Sequence, residues 1–294
     1  MRPRGRMRRA PWFAIGLWLT LALALSFLAL PVLAIFIDSA PGSVIASLGD
    51  PQARAALRLS LETSTISVAA IALVGTPVAY LLATRRFPGK SALIVLLELP
   101  LVLPPAVAGI GLLVALGPKG ILGGALENLH IRLVLQTAGV VVALLFVASP
   151  LYLRTAQAAF AAVDRSQLDA ALTLGGREGA IFRRIAIPLA LPGLASALAL
   201  AWARALGEFG ATLMFAGSFQ GITQTAPLAI YDQFATDLDA ALALSAVLVV
   251  VSASLLLAVE LLSSRPPGRR SRRTLGGLAA AGLLSRLYRT WIAG

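Results

Sequence analysis

Residues 164–188 read DRSQLDAALTLGGREGAIFRRIAIP and form the longest polar stretch between two apolar segments of the chain. Asp164 or Ser166 can cap a first short helix, because an oxygen on a short side chain accepts a hydrogen bond from a free N–H at a helix start. The glycine pair 175–176 then favours a stop, since glycine adopts the left-handed conformation without a Cβ clash. A second short helix is predicted over 177–187. The stretch therefore predicts two short helices joined by a glycine elbow, residues 175–176.

The chain on either side of this stretch has the composition of a membrane protein. Of its 294 residues, 58% are hydrophobic and only 13% are charged, and the mean hydropathy is +0.86. Several apolar runs reach the roughly 20 residues that a helix needs to cross a bilayer. We therefore expect an all-α integral membrane protein.

The apolar runs predict six membrane spans. The first run could instead be the core of a secretory signal, but such a core has only about 7–15 apolar residues. Residues 12–37 form an apolar run of 26, so an uncleaved first span is expected. Basic segments are expected at both ends, 1–11 and 263–294. The predicted spans are 12–37, 59–84, 91–117, 133–153, 189–206 and 240–262, of which the last five belong to a membrane core over 57–262.

The basic residues predict the orientation of these spans. If the amino terminus is cytoplasmic, 20 of the 25 Lys and Arg residues fall in cytoplasmic segments and 4 in outside loops, while Arg204 lies within a span. Such an excess on one side follows the positive-inside rule. Both termini and the 164–188 stretch are therefore expected in the cytoplasm. The net charge of +12 then reflects topology and does not indicate nucleic-acid binding.

The third predicted span is rich in proline. It contains Pro100, Pro104 and Pro105, and each interior proline removes a helix hydrogen bond. The span is therefore expected to be kinked or broken near its middle. Broken backbone at membrane depth is tolerated where it is buried in protein or lines a cavity. Lining of a polar pathway and a kink that serves packing alone both remain open.

Hydroxyl groups are concentrated at the start of the second span, in Ser60, Thr63, Ser64 and Ser67. They lie on neighbouring faces of a helix. Such groups either line a polar pathway or form hydrogen bonds from helix to helix in lipid. The sequence leaves both interpretations open.

Two charges near the end of the fifth span require an explanation. A charge at the bilayer centre costs about 2.5–3.5 kcal/mol on insertion scales. Arg204 and Glu208 are four residues apart, so on one helix they can face each other and partly neutralise. Glu208 can also reach water at the outer end of the span. A structural pair and a role at a gate are both open.

Several classes of active site are excluded by missing residues. The sequence GKS at 89–91 ends like a phosphate-binding loop, but Thr84 stands where that motif needs glycine. The chain is therefore expected to have no ATPase site of its own. The one histidine, His130, lies in a predicted outside loop, and the chain has no cysteine. Neither a zinc site nor an intramembrane serine protease fits this inventory.

The spacing of residues between 169 and 188 resembles the EAA signature of ABC importer permeases. Here DAA is followed by a glycine and then by IAIP, with Asp169 and Ile187 in place of the family's Glu and Leu. The resemblance implies the type I permease fold, with six transmembrane helices and a cytoplasmic coupling helix between the fourth and fifth. It also implies that this helix docks on a cytoplasmic ATPase subunit, whose closure drives alternating access. The residues that the resemblance assigns to ATPase coupling are Asp169, Ala170, Ala171, Gly175, Ile185 and Pro188.

A second resemblance concerns the cargo. ARALGEFGATLMFAG at 203–217 and GITQTAPLAIY at 221–231, together with LPLVLPPAVAGIGLL at 99–113, are similar to molybdate permease subunits. Sulfate permeases share the ALGEFGA core, so a sulfate/thiosulfate or tungstate permease is the alternative. An ion-coupled secondary transporter is the alternative of another class, although only Glu208 approaches the buried acid that it would need. The candidate pathway residues are Pro104, Pro105, Arg204, Glu208 and Thr212.

The second resemblance also implies the composition of the assembly. It implies two copies of this chain, two ABC ATPase subunits and an extracytoplasmic oxyanion-binding protein, in the lipid bilayer of a bacterial or archaeal inner membrane. ATP is then used by the partner subunit. No cofactor, metal or nucleic acid is expected to bind this chain.

Overall fold

The computed structural model describes residues 11–39 and 41–263, and its regular elements are all helical. Most of both predicted basic termini therefore lies outside the described residues. The helices follow one another in chain order. They are α1 (Pro11–Asp38), α2 (Pro41–Gly49), α3 (Pro51–Thr84), α4 (Lys90–Val102), α5 (Pro105–Leu116), α6 (Gly123–Asn128), α7 (Thr137–Ala161), α8 (Arg165–Thr173), α9 (Glu178–Ile181), α10 (Ile187–Leu206), α11 (Gly210–Ala216), α12 (Ala226–Phe234) and α13 (Leu238–Ser263).

Five helical segments in the described part are long and apolar enough to cross a membrane: α1, α3, α7, α9 with α10, and α13. Helices α4 and α5 together form a sixth apolar segment, bent by 113°. The predicted all-helical membrane fold is therefore confirmed. The first and last spans lie within two residues of their predicted bounds, and the differences are concentrated in the middle of the chain.

The second span begins earlier than predicted. Residues 38–58 were expected to form a loop, but they contain α2 and the first turns of α3. Asp50 caps α3 by accepting a hydrogen bond from the Ala53 N–H at 2.8 Å, and Pro51 occupies the first helical position. Proline is well suited to that position because its missing N–H would be unpaired there anyway. These start signals outweigh the polarity that had suggested a loop.

The fourth span is displaced along the chain. It was expected over 133–153, but α7 begins at Thr137 and continues to Ala161. Tyr152, Ala156 and Phe160 are buried at four-residue intervals, so one face of the last two turns packs inward. Arg154 remains exposed on the opposite face. A single arginine therefore does not end the helix, because its long side chain can reach a polar environment from within an apolar segment.

The predicted break in the third span is confirmed. Helix α4 ends at Val102 and α5 starts at Pro105 in a new direction. Leu103 and Pro104 between them have extended backbone, with ψ of 134° and 136°. This is the conformation that a residue before proline prefers.

Two predicted outside loops contain short helices. Residues 119–132 include α6, and residues 208–239 include α11 and α12. These helices are only 6 to 9 residues long, too short to show a clear periodic pattern in the sequence. The polar residues around them had indicated loops.

The centre of the bundle lies between α3, α7 and α10. The side chains at this contact are mainly small, and small residues allow membrane helices to approach closely. By contrast, α1 buries none of its apolar stretch against the rest of the described chain, as expected of a helix facing lipid. The fully buried alanines at the centre are Ala79, Ala148, Ala156, Ala186, Ala197 and Ala201.

The hydroxyl groups of α3 connect it to its neighbours. Ser67 donates to the Val141 carbonyl at 3.1 Å, and Ser64 accepts from the Trp202 indole N–H at 2.9 Å. A third serine, Ser60, accepts from a backbone N–H at the start of α12 at 2.7 Å. All of these serines are buried, so helix-to-helix bonding is the interpretation that the structure supports. Thr63 is also buried but bonds a carbonyl of its own helix.

Candidate functional site

Helix α8 begins with a side-chain cap. Asp164 is the cap residue, and its Oδ1 accepts a hydrogen bond from the Ser166 N–H at 2.9 Å. This backbone hydrogen bond lowers the pKa of the exposed Asp164 carboxyl below its ordinary value of 3.8. Of the two caps that the sequence left open, the structure thus selects Asp164. A capping box between Ser166 and Asp169 is not formed, because Ser166 lies inside the helix.

Helix α8 ends in a glycine-dependent turn. Gly175 has φ of +80°, and its N–H bonds the Leu172 carbonyl at 2.9 Å. The N–H of Gly176 bonds the Ala171 carbonyl at 3.0 Å. These two bonds form a Schellman motif, which satisfies carbonyls left free at a helix end and requires a left-handed residue. The predicted glycine elbow is thus present, with Gly175 as its left-handed residue.

The side chains of α8 are largely free. None of its residues is buried, and Asp169 and Ala170 are exposed. Leu172 is 48% exposed, and Leu174, immediately after the helix, is 88% exposed. Only Leu168 packs, half-buried, against the core of the bundle. The segment therefore leaves two leucines and the Asp169 carboxylate exposed to its surroundings.

The segment after the elbow differs from the prediction. A short helix over 177–187 was expected, with Pro188 opening a separate span. Instead one continuous helix runs over Glu178–Leu206, in which a π turn over Phe182–Ala186 joins α9 to α10. In a regular helix the Pro188 ring would clash with the Arg184 carbonyl. The wider turn ends just before the proline, and Ile185 lies within it.

An ion pair connects this helix to the end of α3. Nη2 of Arg85 lies 2.5 Å from Oε1 of Glu178 in the first turn of α9. The hydrogen bond that the Arg85 guanidinium donates to this carboxylate raises the pKa of Arg85. A cavity of about 240 Å³ lies beside the pair, between α8, α9 and the end of α3, and Asp169 is among its lining residues.

Three aromatic rings meet one turn further into the bundle. Tyr80 near the end of α3 lies 4.8 Å from Phe182, between ring centroids, and 5.3 Å from Phe160 near the end of α7. Phe160 and Phe182 are 6.3 Å apart. No sequence pattern indicates this cluster, because the three residues are far apart along the chain. Only Tyr80 lies inside a predicted span, because Phe160 and Phe182 fall between the predicted spans 133–153 and 189–206.

The charged pair at the other end of α10 is buried. Glu208 was expected on the same helix as Arg204. The helix ends at Leu206, however, so Glu208 lies in the turn that follows it. Its side chain is 1% exposed, and one carboxylate oxygen lies 2.7 Å from Nη1 of Arg204. That contact is an ion pair by distance but lacks hydrogen-bond geometry. The other oxygen accepts a hydrogen bond from the Ala211 N–H at 2.8 Å. Glu208 therefore does not reach water.

The two interruptions of the spans lie against each other. An ideal Cβ on Gly210 would stand 2.9 Å from Cβ of Pro105, and one on Gly109 would stand 2.6 Å from the Ala211 carbonyl oxygen. We call residues 102–105 and 207–212 together the break region. Thr212 is fully buried there, and its hydroxyl has no hydrogen-bond partner within the described residues.

The structure thus gathers the predicted residues into two sites. The coupling candidates lie in one segment, from α8 to the start of α10. The pathway candidates lie in or beside the break region. Their roles in coupling and transport remain predictions.

The sequence is similar to those of transport proteins. Residues 75–266 match the family described as binding-protein-dependent transport system inner membrane component. The chain is 45% identical over 233 residues to the molybdenum transport system permease protein ModB of Mycobacterium tuberculosis, which covers 79% of this chain and 88% of that protein. It is 41% identical over 185 residues to ModB of Escherichia coli, covering 63% of this chain and 80% of the relative.

The fold is similar to those of solved ABC transporters. A bacterial alginate ABC transporter, in complex with an alginate pentasaccharide-bound periplasmic protein, contains a chain that matches with a TM-score of 0.69 and 15% identity. That match covers 86% of this chain and 94% of the other. An inward-facing MetNI methionine ABC transporter matches with a TM-score of 0.55 and 18% identity over 71% of this chain. At these identities the likeness concerns the fold alone.

Proposed function

The chain belongs to the family of binding-protein-dependent transport system inner membrane components, and from that premise we propose that it is the membrane-spanning permease subunit of a molybdate importer. The observation that carries the proposal is the 45% identity over 88% of a molybdenum transport permease. Residues 169–188 carry the resemblance to ABC importer permeases, and residues 99–113 and 203–231 carry the resemblance to molybdate permeases.

In this proposal the energy comes from a separate ATPase subunit. The elbow region, residues 164–188, is suited to receive it because α8 buries no side chain in the described chain. An amphipathic helix that lays exposed leucines into a groove of another protein is a common recognition mode. Leu172 at the end of α8 and Leu174 immediately after it are exposed and available for such a contact. The residues proposed for coupling are Asp169, Ala170, Ala171, Gly175, Ile185 and Pro188.

We propose that the oxyanion passes near the break region. Irregular backbone inside membrane proteins typically lines a pathway or is buried against other protein. Arg204 retains 31% of its side-chain exposure, while its charge is partly balanced by Glu208. A pathway with so little net positive charge holds a dianion weakly, which favours release. Selectivity is then provided mainly by a separate binding protein. The residues proposed for the pathway are Pro104, Pro105, Arg204, Glu208 and Thr212.

The proposed assembly contains two copies of this chain, two ATPase subunits and an extracytoplasmic binding protein. The alginate transporter that shares the fold was solved with a periplasmic protein. In the proposed orientation the elbow region and both termini face the cytoplasm, in agreement with the excess of basic residues on that side.

Uptake into vesicles tests the proposal. The chain is reconstituted with its ATPase and binding protein, and labelled molybdate is supplied with ATP or with an ion gradient. We expect accumulation that requires ATP hydrolysis and persists when ionophores remove the gradients. Uptake that needs a gradient and not ATP would replace the proposal with a secondary transporter. Competition by unlabelled tungstate and sulfate then ranks the oxyanions, and preferential uptake of sulfate would reassign the cargo.

A further inference from the structure

The helix that leads from the elbow into the bundle contains a wide turn that presents an aromatic ring. In the π turn over Phe182–Ala186, the N–H of Ile187 bonds the carbonyl of Phe182, five residues earlier. Such turns inside α-helices frequently occur at functional sites, because they re-aim the side chains on both sides. Phe182 is the first residue of this turn.

Phe182 lies between the ends of two other helices. Its ring centroid is 4.8 Å from that of Tyr80 on α3 and 6.3 Å from that of Phe160 on α7. Tyr80 and Phe160 are themselves in edge-to-face contact at 5.3 Å. All three distances fall in the range of favourable aromatic pairs. One cluster therefore joins α3, α7 and the π turn.

The other contacts that α8 and α9 make with the bundle are weaker than this cluster. The Arg85–Glu178 ion pair is exposed on both sides, with 57% and 71% of each side chain accessible, and exposed pairs contribute little. Helix α8 packs on the core mainly through the half-buried Leu168. On the elbow side, the buried Ile181 side chain packs beneath Gly176. A path of packed groups thus runs from the elbow through Ile181 and Phe182 into the ring cluster.

We propose that Phe182 is a positioning residue of the transport cycle, which transmits a displacement of α8 to α3 and α7 through the rings of Tyr80 and Phe160. The proposal rests on the proposed function, in which the partner ATPase moves α8. The side chains of α3 and α7 are closely packed at the centre of the bundle, so a movement imposed on both ends reaches the membrane-spanning segments together. Without the Phe182 ring, α9 could shift while α3 and α7 remain in place.

The test compares Phe182→Ala, Phe182→Tyr and a control, Phe215→Ala, in the reconstituted complex. Phe215 is a buried core ring on α11, so its truncation reports the cost of losing any core ring. Three quantities are measured: co-purification of the ATPase, ATP hydrolysis, and molybdate accumulated per ATP. For Phe182→Ala we expect normal co-purification and hydrolysis, with a fall of at least about fivefold in molybdate moved per ATP, the lower end of ordinary coupling between sites.

The tyrosine variant and the control decide the interpretation. Phe182→Tyr keeps the ring and is expected to transport as much molybdate per ATP as the unaltered complex. Phe215→Ala is expected to lower thermal stability without changing the ratio. An unchanged ratio in Phe182→Ala overturns the proposal, as does loss of ATPase binding, which would make Phe182 a docking residue. Absence of ATP-dependent molybdate uptake by the unaltered complex would instead contradict the proposed function, whatever the variants do.

Discussion

The elbow region and the break region both interrupt the regular path of membrane-spanning helices, but they are built in opposite ways. The elbow is shaped by backbone devices: the Asp164 cap, the left-handed Gly175 and a π turn before Pro188. The break is held by side chains, with Glu208 1% exposed between Arg204 and a backbone N–H.

This difference indicates how each region can be used. The elbow satisfies its own backbone and leaves most side chains of α8 free, so a second protein can bind them without competing with the fold. In the break region, the Glu208 carboxylate already holds Arg204 and a backbone N–H. Substitutions in the break region should therefore mainly lower the stability of the folded chain. Substitutions in the elbow should mainly lower the amount of molybdate transported per ATP hydrolysed.

The largest stability effect is expected for Glu208→Ala. The substitution leaves the Arg204 guanidinium and the Ala211 N–H without their partner. Breaking a buried ion pair costs about 3–5 kcal/mol, and since Arg204 is 31% exposed we expect about 3 kcal/mol. Thermal unfolding of the purified chain in lipid nanodiscs measures this loss.

The chain offers a matched control for that variant. Arg58 and Glu62 form an ion pair with the same four-residue spacing, but their side chains are 79% and 51% exposed. Glu62→Ala should leave the unfolding temperature unchanged, because exposed pairs contribute little. Equal losses in the two variants would show that burial of Glu208 is not what stabilises the break.

The next effect is expected for Gly109→Ala, where α5 meets α11. The added Cβ would stand 2.6 Å from the Ala211 carbonyl oxygen and 2.7 Å from Cβ of Met214, so one helix must move. Overpacking of this kind costs about 1–3 kcal/mol. Gly111→Ala on the same helix is the control, since its Cβ meets nothing within 4 Å. Gly111→Ala should leave the stability unchanged or raise it slightly. A loss of stability in both variants would show that α5 needs the flexibility of glycine and not close packing at Gly109.

In the elbow, Gly175→Val should have a smaller stability effect but a larger effect on coupling. An added Cβ meets nothing within 4 Å, so the cost comes from φ of +80° alone, about 1–2 kcal/mol. We expect insertion and ATPase binding to persist, while molybdate uptake per ATP falls as α8 is re-aimed. Gly175→Asn is the control, because asparagine tolerates the left-handed conformation. Normal uptake in Gly175→Val would remove the elbow from the coupling assignment.

The comparison of the two regions also explains how far the sequence could predict the molecule. Local backbone conformation depends on adjacent residues, so short motifs were sufficient to predict the glycine elbow and the broken third span. The same rules led to an error at Pro188, because a local rule does not anticipate that a π turn accommodates the proline within a continuous helix.

Contacts between distant residues were harder to predict. Arg204 and Glu208 were correctly suggested as a pair, since they are close in sequence, but the sequence did not reveal that Glu208 is buried and accepts a hydrogen bond from the Ala211 N–H. The cluster of Tyr80, Phe160 and Phe182 joins three separate helices, and no single window of sequence contains it. The sequence therefore did not predict the aromatic contact that connects the elbow to the bundle.

The smallest expected effect concerns pH and the Asp164 cap. Its pKa is lowered in the folded chain by the Ser166 N–H, so the cap is fully stabilising above the unfolded value of 3.8 and is lost as the pH falls through the folded pKa. Amide hydrogen exchange of α8, corrected for the intrinsic rate, should show reduced protection at pH 3 relative to pH 6. In Asp164→Asn the amide oxygen still caps the helix but does not titrate, so protection should no longer depend on pH. A pH dependence that persists in this variant would show that the Asp164 cap is not its cause.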